Sequence, residues 1–234
     1  MIILTNTIPL VNKVLIRALA DLHIHSTHSD GKASPKEIIY TAQYKGLNII
    51  SITDHNTFSG SIEALKYAKN LEEELVVIIG NEVSTDYGDI LVYCYEPINT
   101  PHRLDILIDY AHENNCLVVP AHPFDIYRKG IGDKIFDYNE WDAIETWNAS
   151  SDPRSNKKAL QAAKLLGLPG LANSDAHIPD YIGCAYTIIE IEEYSVESVF
   201  KAIKQGRTHP HPGYPPLRAF FKKMLWSVKR RLYT

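Results

Sequence analysis

Two kinds of apolar pattern alternate along this chain. Short runs rich in isoleucine, valine and leucine occupy residues 47–52, 75–79, 89–95, 117–120, 143–147, 170–173 and 185–191, and predict buried strands. An apolar lead-in brings a further strand to about residue 20. Between the runs, apolar positions return every three or four residues at 34–46, 59–71, 101–115, 154–166 and 195–205, which predicts helices. Punctuation agrees. Ser34, Pro35 and Glu37 supply a cap, a first helical position and a capping-box partner, and Gly46, Gly167 and Gly206 stand where helices should stop. Ser195 caps without a full box, because Ser198 holds the third position. Residues 124–139 predict a long irregular loop, and Tyr87-Gly88 a hairpin turn. Strands alternating with helices predict an α/β fold with parallel strands, either a closed barrel or an open doubly wound sheet.

The polar positions choose between the two. Residues 20–31, ADLHIHSTHSDG, place His23 and His25 on one face of a strand and Leu22 and Ile24 on the other. Asp175 and His177 repeat that spacing in NSDAH. These pairs, with His55, Glu82 and His122, all fall at or near the C-terminal ends of predicted strands. A barrel gathers such ends into one ring, whereas an open sheet spreads them along an edge. A barrel is therefore expected. Imidazoles paired at a strand end make a poor core and a good metal site.

Composition narrows the setting. With 234 residues, 45% apolar and 22% charged, the chain fits one large globular domain. A net charge of −4, despite a basic C-terminus, argues against a general nucleic-acid binder. Cys94, Cys116 and Cys184 are far apart and odd in number, so they are expected as buried free thiols in a reducing, cytoplasmic compartment. Residues 1–19 form an apolar lead-in that Asn6, Pro9, Asn12, Lys13 and Arg17 interrupt, which argues against a membrane span.

HIHSTHSDG, TDHNT, GNEVST, AHPF and NSDAH, in this order, resemble the PHP family, named for polymerase and histidinol phosphatase domains. The resemblance covers about residues 21–206. It implies a distorted seven-stranded, TIM-like (βα) barrel and a metal-dependent phosphoesterase with two or three divalent ions. Carried over residue by residue, it gives one metal His23, His25, Glu82 and Asp175. A second shares Glu82 and adds His122, and a third takes Asp30, His55 and His177. Such mixed imidazole and carboxylate sets suit zinc, manganese or iron. Asp89 departs from the pattern, since many relatives carry a histidine near that place. As an oxygen ligand it would tilt the second site toward manganese or magnesium; as a turn residue beside Gly88 it would hold no metal. His28, His102, His112, His209 and His211 match no ligand position.

The resemblance implies ester hydrolysis by metal-activated water, with Asp175 or His177 handling its proton and His55 protonating the leaving group. Arg128 and Lys129, after AHPF, and Arg154 are the candidate phosphate-binding cations, though each also fits a solvated loop. Residues 207–234 change character, from a proline-rich break to a basic amphipathic helix. That helix could meet nucleic acid or an anionic membrane, and more commonly such a helix packs its apolar face on its own domain. Three functions follow: a phosphatase or phosphodiesterase on a small molecule or nucleotide, a nuclease on DNA or RNA ends, and a non-catalytic metal-binding subunit. Catalysis leads, because the expected ligand set is nearly complete. The oligomeric state is not legible.

Overall fold

The first strand, β1 (Ile16–Ile24), begins inside the lead-in, because Ala18 and Ala20 already point inward while Arg17 is exposed. The computed structural model describes residues 14–69, 71 and 74–233, with the backbone alone for 227–233. Most of the lead-in and the last basic side chains of the tail thus lie outside the described residues. After β1 come α1 (Pro35–Tyr44), β2 (Ile49–Ile52), α2 (Ser59–Ala68), β3 (Val76–Ser84), β4 (Asp89–Cys94) and α3 (Leu104–Glu113). The chain continues through β5 (Leu117–Pro120), β6 (Ile144–Asn148), α4 (Pro153–Leu166), β7 (Gly170–Asn173), β8 (Tyr186–Ile191), α5 (Val196–Lys204), β9 (Thr208–His211) and α6 (Leu217–Tyr233). The Ser34–Glu37 capping box forms in full, with Glu37 accepting from the Ser34 amide at 2.8 Å. Two short 3-10 turns, Ile126–Arg128 and Gly132–Asp137, occupy the expected loop.

Seven strands make one curled sheet in the order β5-β4-β3-β2-β1-β8-β9, and β6 and β7 pair separately. This half-barrel corrects the expectation of a closed parallel barrel. Among the described residues the parallel ladders are β1/β2, β2/β3 and β6/β7. The tight turn at Tyr87-Gly88 leaves no room for a crossover helix, so β4 returns antiparallel to β3 and β5 is antiparallel to β4. The β6–β7 pair is joined to the large sheet through isolated contacts rather than ladders. The Asp142 amide donates to Val118 O at 3.1 Å, and the His25 amide to Ala176 O at 2.9 Å. The break expected after Gly206 holds β9, antiparallel to β8.

A bulge in β1 separates two residues expected to share a face. Its pairing with β2 shifts between Asp21 and Ile24. Leu22 accordingly joins the cluster of Ile49, Ile78, Leu91 and Leu117, while Ile24 joins the cluster of Ile38 and Ile39 from α1. Each such fully buried aliphatic contributes roughly 1.5–3 kcal/mol of transfer free energy. The bulge also bends the strand end that carries His23 and His25.

Two further expectations are overturned. Cys94 and Cys116 form a disulfide, with Cα atoms 4.3 Å apart. The register Tyr93↔Leu117 puts them opposite each other despite their separation of 22 residues. Cys184 is the free cysteine among the described residues, and the cysteines no longer argue for a reducing compartment. The tail helix α6 is also inverted relative to expectation. Ala219 is buried, whereas Phe220, Phe221, Met224 and Leu225 are exposed. Among the described residues no helix is long and apolar enough to cross a membrane.

α4 follows the loop that holds Asn148 and Ser150 near the cavity described below, and Asp152 caps it, accepting from the amides of Arg154 at 2.8 Å and Ser155 at 3.2 Å. Asp152→Ala should cost about 1 kcal/mol and lower Tm by roughly 2–4 °C, read by thermal unfolding, with site composition unchanged.

Candidate metal centre

Nine side chains converge at one end of the sheet: His23, His25, Asp30, His55, Glu82, Asp89, His122, Asp175 and His177. β1 supplies His23, His25 directly follows its end, and Asp30 comes next in a turn that folds back. The Gly31 amide donates to Ser26 O at 2.8 Å, and a Cβ at Gly31 would sit 2.1 Å from His25 O. Asp54 fixes the same turn, accepting from the Ser26 amide at 2.7 Å and from the hydroxyls of Ser26 and Ser29. Asp21 ties β1 to the distant Asp175 segment, accepting from the Ser174 amide at 3.1 Å and its hydroxyl at 2.6 Å. Burial pushes the Asp21 carboxyl up to about 6, against those hydrogen bonds.

Four atoms form a compact group. His23 Nε2 and His25 Nε2 are 3.2 Å apart, and Glu82 Oε2 lies 3.4 and 3.2 Å from them. Asp175 Oδ1 lies 3.8 and 3.3 Å from the same nitrogens. Donors around one four-coordinate zinc lie about 3.3 Å apart, and the two imidazoles stand near that spacing from each other and from each carboxylate. The four residues fit a cation, and all are at least 99% buried. A second group centres on Asp30 Oδ1, with His177 Nε2 at 3.2 Å, His25 Nδ1 at 3.6 Å and His55 Nε2 at 3.7 Å. In the third, Glu82 meets His122 Nε2 at 2.9 Å and His55 Nδ1 at 3.1 Å, with Asp89 alongside.

Asp89 was open between ligand and turn residue. It is buried, faces His55 and Glu82, and its Oδ1 has no hydrogen-bond partner among the described residues. Glu82 Oε2 is likewise buried without one. Native proteins pair buried polar atoms, so two such oxygens beside imidazoles fit a cation-binding role.

The electrostatics carry the same sign of demand. Burial would raise Glu82, but the neighbouring His23 and His122 hold it well below the carboxylate range. Asp175, opposed by burial, is held well down by Arg128 and His23. Burial and then the Glu82 charge push Asp89 up. Burial and the nearby His177 push His25 down to about 4, leaving the neutral imidazole that a metal requires.

Backbone strain concentrates here as well. His122 and Asp175 have φ of 31° and 48°, left-handed conformations uncommon outside glycine, asparagine and aspartate. The His122 amide, donating to Glu145 Oε2 at 2.7 Å, helps hold the first.

Glu145 is the principal residue that sequence reasoning missed. Its Oε1 accepts from His23 Nδ1 at 2.9 Å and from Asn173 Nδ2 at 2.8 Å, and Asn148 donates to Oε2 at 3.0 Å. This pins the His23 ring with Nε2 toward the group of four. The available signal was a lone acid inside the apolar strand AIETW.

A cavity of about 580 Å³ opens over the cluster, lined also by Tyr127, Arg128, Lys129, Lys223 and Trp226. Arg128 lines it but is engaged: Nη1 donates to Asp175 Oδ2 at 2.5 Å. Lys129 is exposed on a left-handed residue at its rim. Arg154 corrects the expectation; it is exposed on the first turn of α4 and does not line the cavity. His28 pairs with Glu63 and His112 with Asp142, outside the cluster.

Known proteins share the sequence pattern and the fold. The PHP domain profile matches residues 21–146, and a PHP-associated profile matches 153–208. An uncharacterized protein of Methanocaldococcus jannaschii is 34% identical over 142 residues, covering 56% of this chain and 81% of that one. A 5'-3' exoribonuclease of Haemophilus influenzae is 43% identical over 67 residues, 29% of this chain and 24% of the enzyme. In structure the fold is similar to a Bacteroides vulgatus two-domain protein containing a predicted PHP-like metal-dependent phosphoesterase. That match has a TM-score of 0.72 and 18% identity, over 85% of this chain and 66% of that one. A lesion-specific endonuclease of Pyrococcus furiosus matches with a TM-score of 0.62 and 22% identity, over 83% of this chain and 58% of the enzyme.

Removing the carboxylate behind His23 should weaken metal retention without touching a ligand. Glu145→Gln is expected to lose roughly 10–100-fold in metal affinity, measured by chelator competition. An unchanged affinity would show that Glu145 does not orient the ring.

Proposed function

The chain belongs to the PHP domain family, and from that premise we propose that it hydrolyses phosphate esters of a small molecule or nucleotide with two or three bound divalent ions. The observation that carries the reading is the meeting of His23 Nε2 and His25 Nε2, 3.2 Å apart, with carboxylate oxygens of Glu82 and Asp175 at 3.2–3.8 Å from them. Bound metals would supply charge neutralisation at the phosphoryl group and an activated water.

The chain's own residues do the rest. His23, His25, Glu82 and Asp175 would hold one ion; Glu82, His122 and Asp89 a second; and Asp30, His55 and His177 a third. Asp89 adds an oxygen where an imidazole is common, which favours manganese or magnesium at the second position over a purely zinc-type set. His177 Nδ1 lies 3.1 Å from the backbone oxygen of Asp175 and 3.3 Å from its Oδ1, contacts that would hold the ring with Nε2 toward Asp30. His55 is the most exposed of the imidazoles in the cluster, at 34%, which suits it to reach a leaving group in the cavity. Arg128 positions Asp175 through their ion pair rather than meeting substrate first, and Lys129 reaches substrate only from the rim.

A nuclease is the second reading. It draws on the similarity to the exoribonuclease segment and the endonuclease fold, together with the basic C-terminal helix. A non-catalytic subunit is the weakest of the three, since all nine ligand-type residues are present and gathered.

Protein purified without chelator should contain zinc, manganese or iron by elemental analysis. It should release phosphate, or cleave a diester, in a screen of nucleotides, sugar phosphates and short oligonucleotides. EDTA should abolish this and added metal restore it. His23→Ala and Asp175→Asn should each cut turnover by more than the roughly 10–100-fold expected of an outer residue. Unchanged metal content and turnover in both variants would overturn the site.

A further inference from the structure

The C-terminal helix brings a cation into the cavity that no strand supplies. α6 is seated on the turn Pro179–Tyr181, which closely follows Asp175 and His177 in the chain. Ala219 is buried in the cluster that contains Ile178, Tyr181 and Ile182, and Lys222 Nζ pairs with Asp180 Oδ1. Next along the helix, Lys223 turns inward. Its Nζ lies 3.2 Å from Ser150 Oγ and 4.9 Å from the centre of the Tyr181 ring, and the residue lines the cavity beside Trp226. Ser150 in turn donates to the backbone oxygen of Asp175 at 3.3 Å. Lys223 is thus linked through one hydroxyl to a residue of the metal cluster.

The three cations lining the cavity are not equivalent. Arg128 has Asp175 and Asp125 as carboxylate partners, and Lys129 is exposed at the rim. Lys223 instead has a hydroxyl and an aromatic face as its contacts, and the Asp175 and Asp30 charges also act on it. An ammonium carries three donors, so donors remain for a ligand in the cavity. A phosphoryl group is the anion such a donor suits, as a point charge rather than a bidentate clamp.

We propose that Lys223 is a substrate-binding residue whose ammonium donates to oxygens of the phosphate ester in the cavity, so that α6 forms a wall of the site. This rests on the phosphoesterase reading above. It also assigns the basic tail a role different from a detached nucleic-acid or membrane arm.

The test uses the full chain with its metals and the best ester from the screen, comparing Lys223→Met and Lys223→Arg with the parent. Lys223→Met should raise KM, and the inhibition constant of inorganic phosphate, by roughly 10-fold, the size of one charge-assisted hydrogen bond. Metal content and Tm should stay at parent values, and Lys223→Arg should recover most of the loss. If the parent is active but Lys223→Met matches it in KM and phosphate inhibition, the proposal fails and the phosphoesterase reading stands. If Tm falls and arginine does not rescue, Lys223 only holds the helix in place, which also overturns it. A parent that neither hydrolyses a phosphate ester nor binds inorganic phosphate overturns the underlying reading instead.

Discussion

Five imidazoles and four carboxylates share one end of this fold, most of them out of contact with water. Concentrated ionisable groups are tolerated in a protein interior only when each is paired, hydrogen-bonded or bound to a cation. Much of the surrounding structure follows from that constraint. Asp21 and Asp54 spend their oxygens on amides and hydroxyls, locking the turns that bear ligands. Glu145 meets two residues of the cluster at once, the ring of His23 and the amide of His122. What these supports leave over, including Oε2 of Glu82 and Oδ1 of Asp89, points inward at the cluster. Those inward-facing oxygens are what fit the cluster to a cation.

How much of this was legible in the sequence depended on the range of the signal. Local signals worked. The Ser34 cap and the hairpin at Tyr87-Gly88 are written within a few residues, and the structure contains both. The two i, i+2 pairs also come together, but Asp175 and His177 do so from a segment beyond β7 rather than from a strand face. Sheet closure and strand direction were misjudged, because alternation of strands and helices does not report which neighbours pair. The disulfide is a case in point: Cys94 and Cys116 look remote until the β4–β5 register makes them opposite. Glu145 escaped because an acid in an apolar strand has no motif around it, and its partners come from β1, β7 and the end of β5.

The tail shows how amphipathic pattern can mislead. Phe220, Phe221, Met224 and Leu225 give α6 its apolar stripe, yet small Ala219 and the stem of Lys223 face the domain. A lysine stem can lie along an aromatic surface while its head reaches a polar cavity. Sequence periodicity marks an apolar face but not which side meets the protein, and here a nearby acid, Asp180, anchors the helix through Lys222.

The left-handed backbone at His122 and Asp175 sets limits on how this centre can be taken apart. Asparagine, aspartate, histidine and glycine accept that conformation with least penalty, while β-branched side chains do not. An inventory of viable replacements at these two positions is therefore short and mostly polar. Disarming the chemistry while sparing the scaffold calls for asparagine at both, whereas valine or isoleucine would confound lost ligation with a disturbed main chain. For anyone repurposing the scaffold, the same two positions are where new polar functions can be installed and hydrophobic ones cannot.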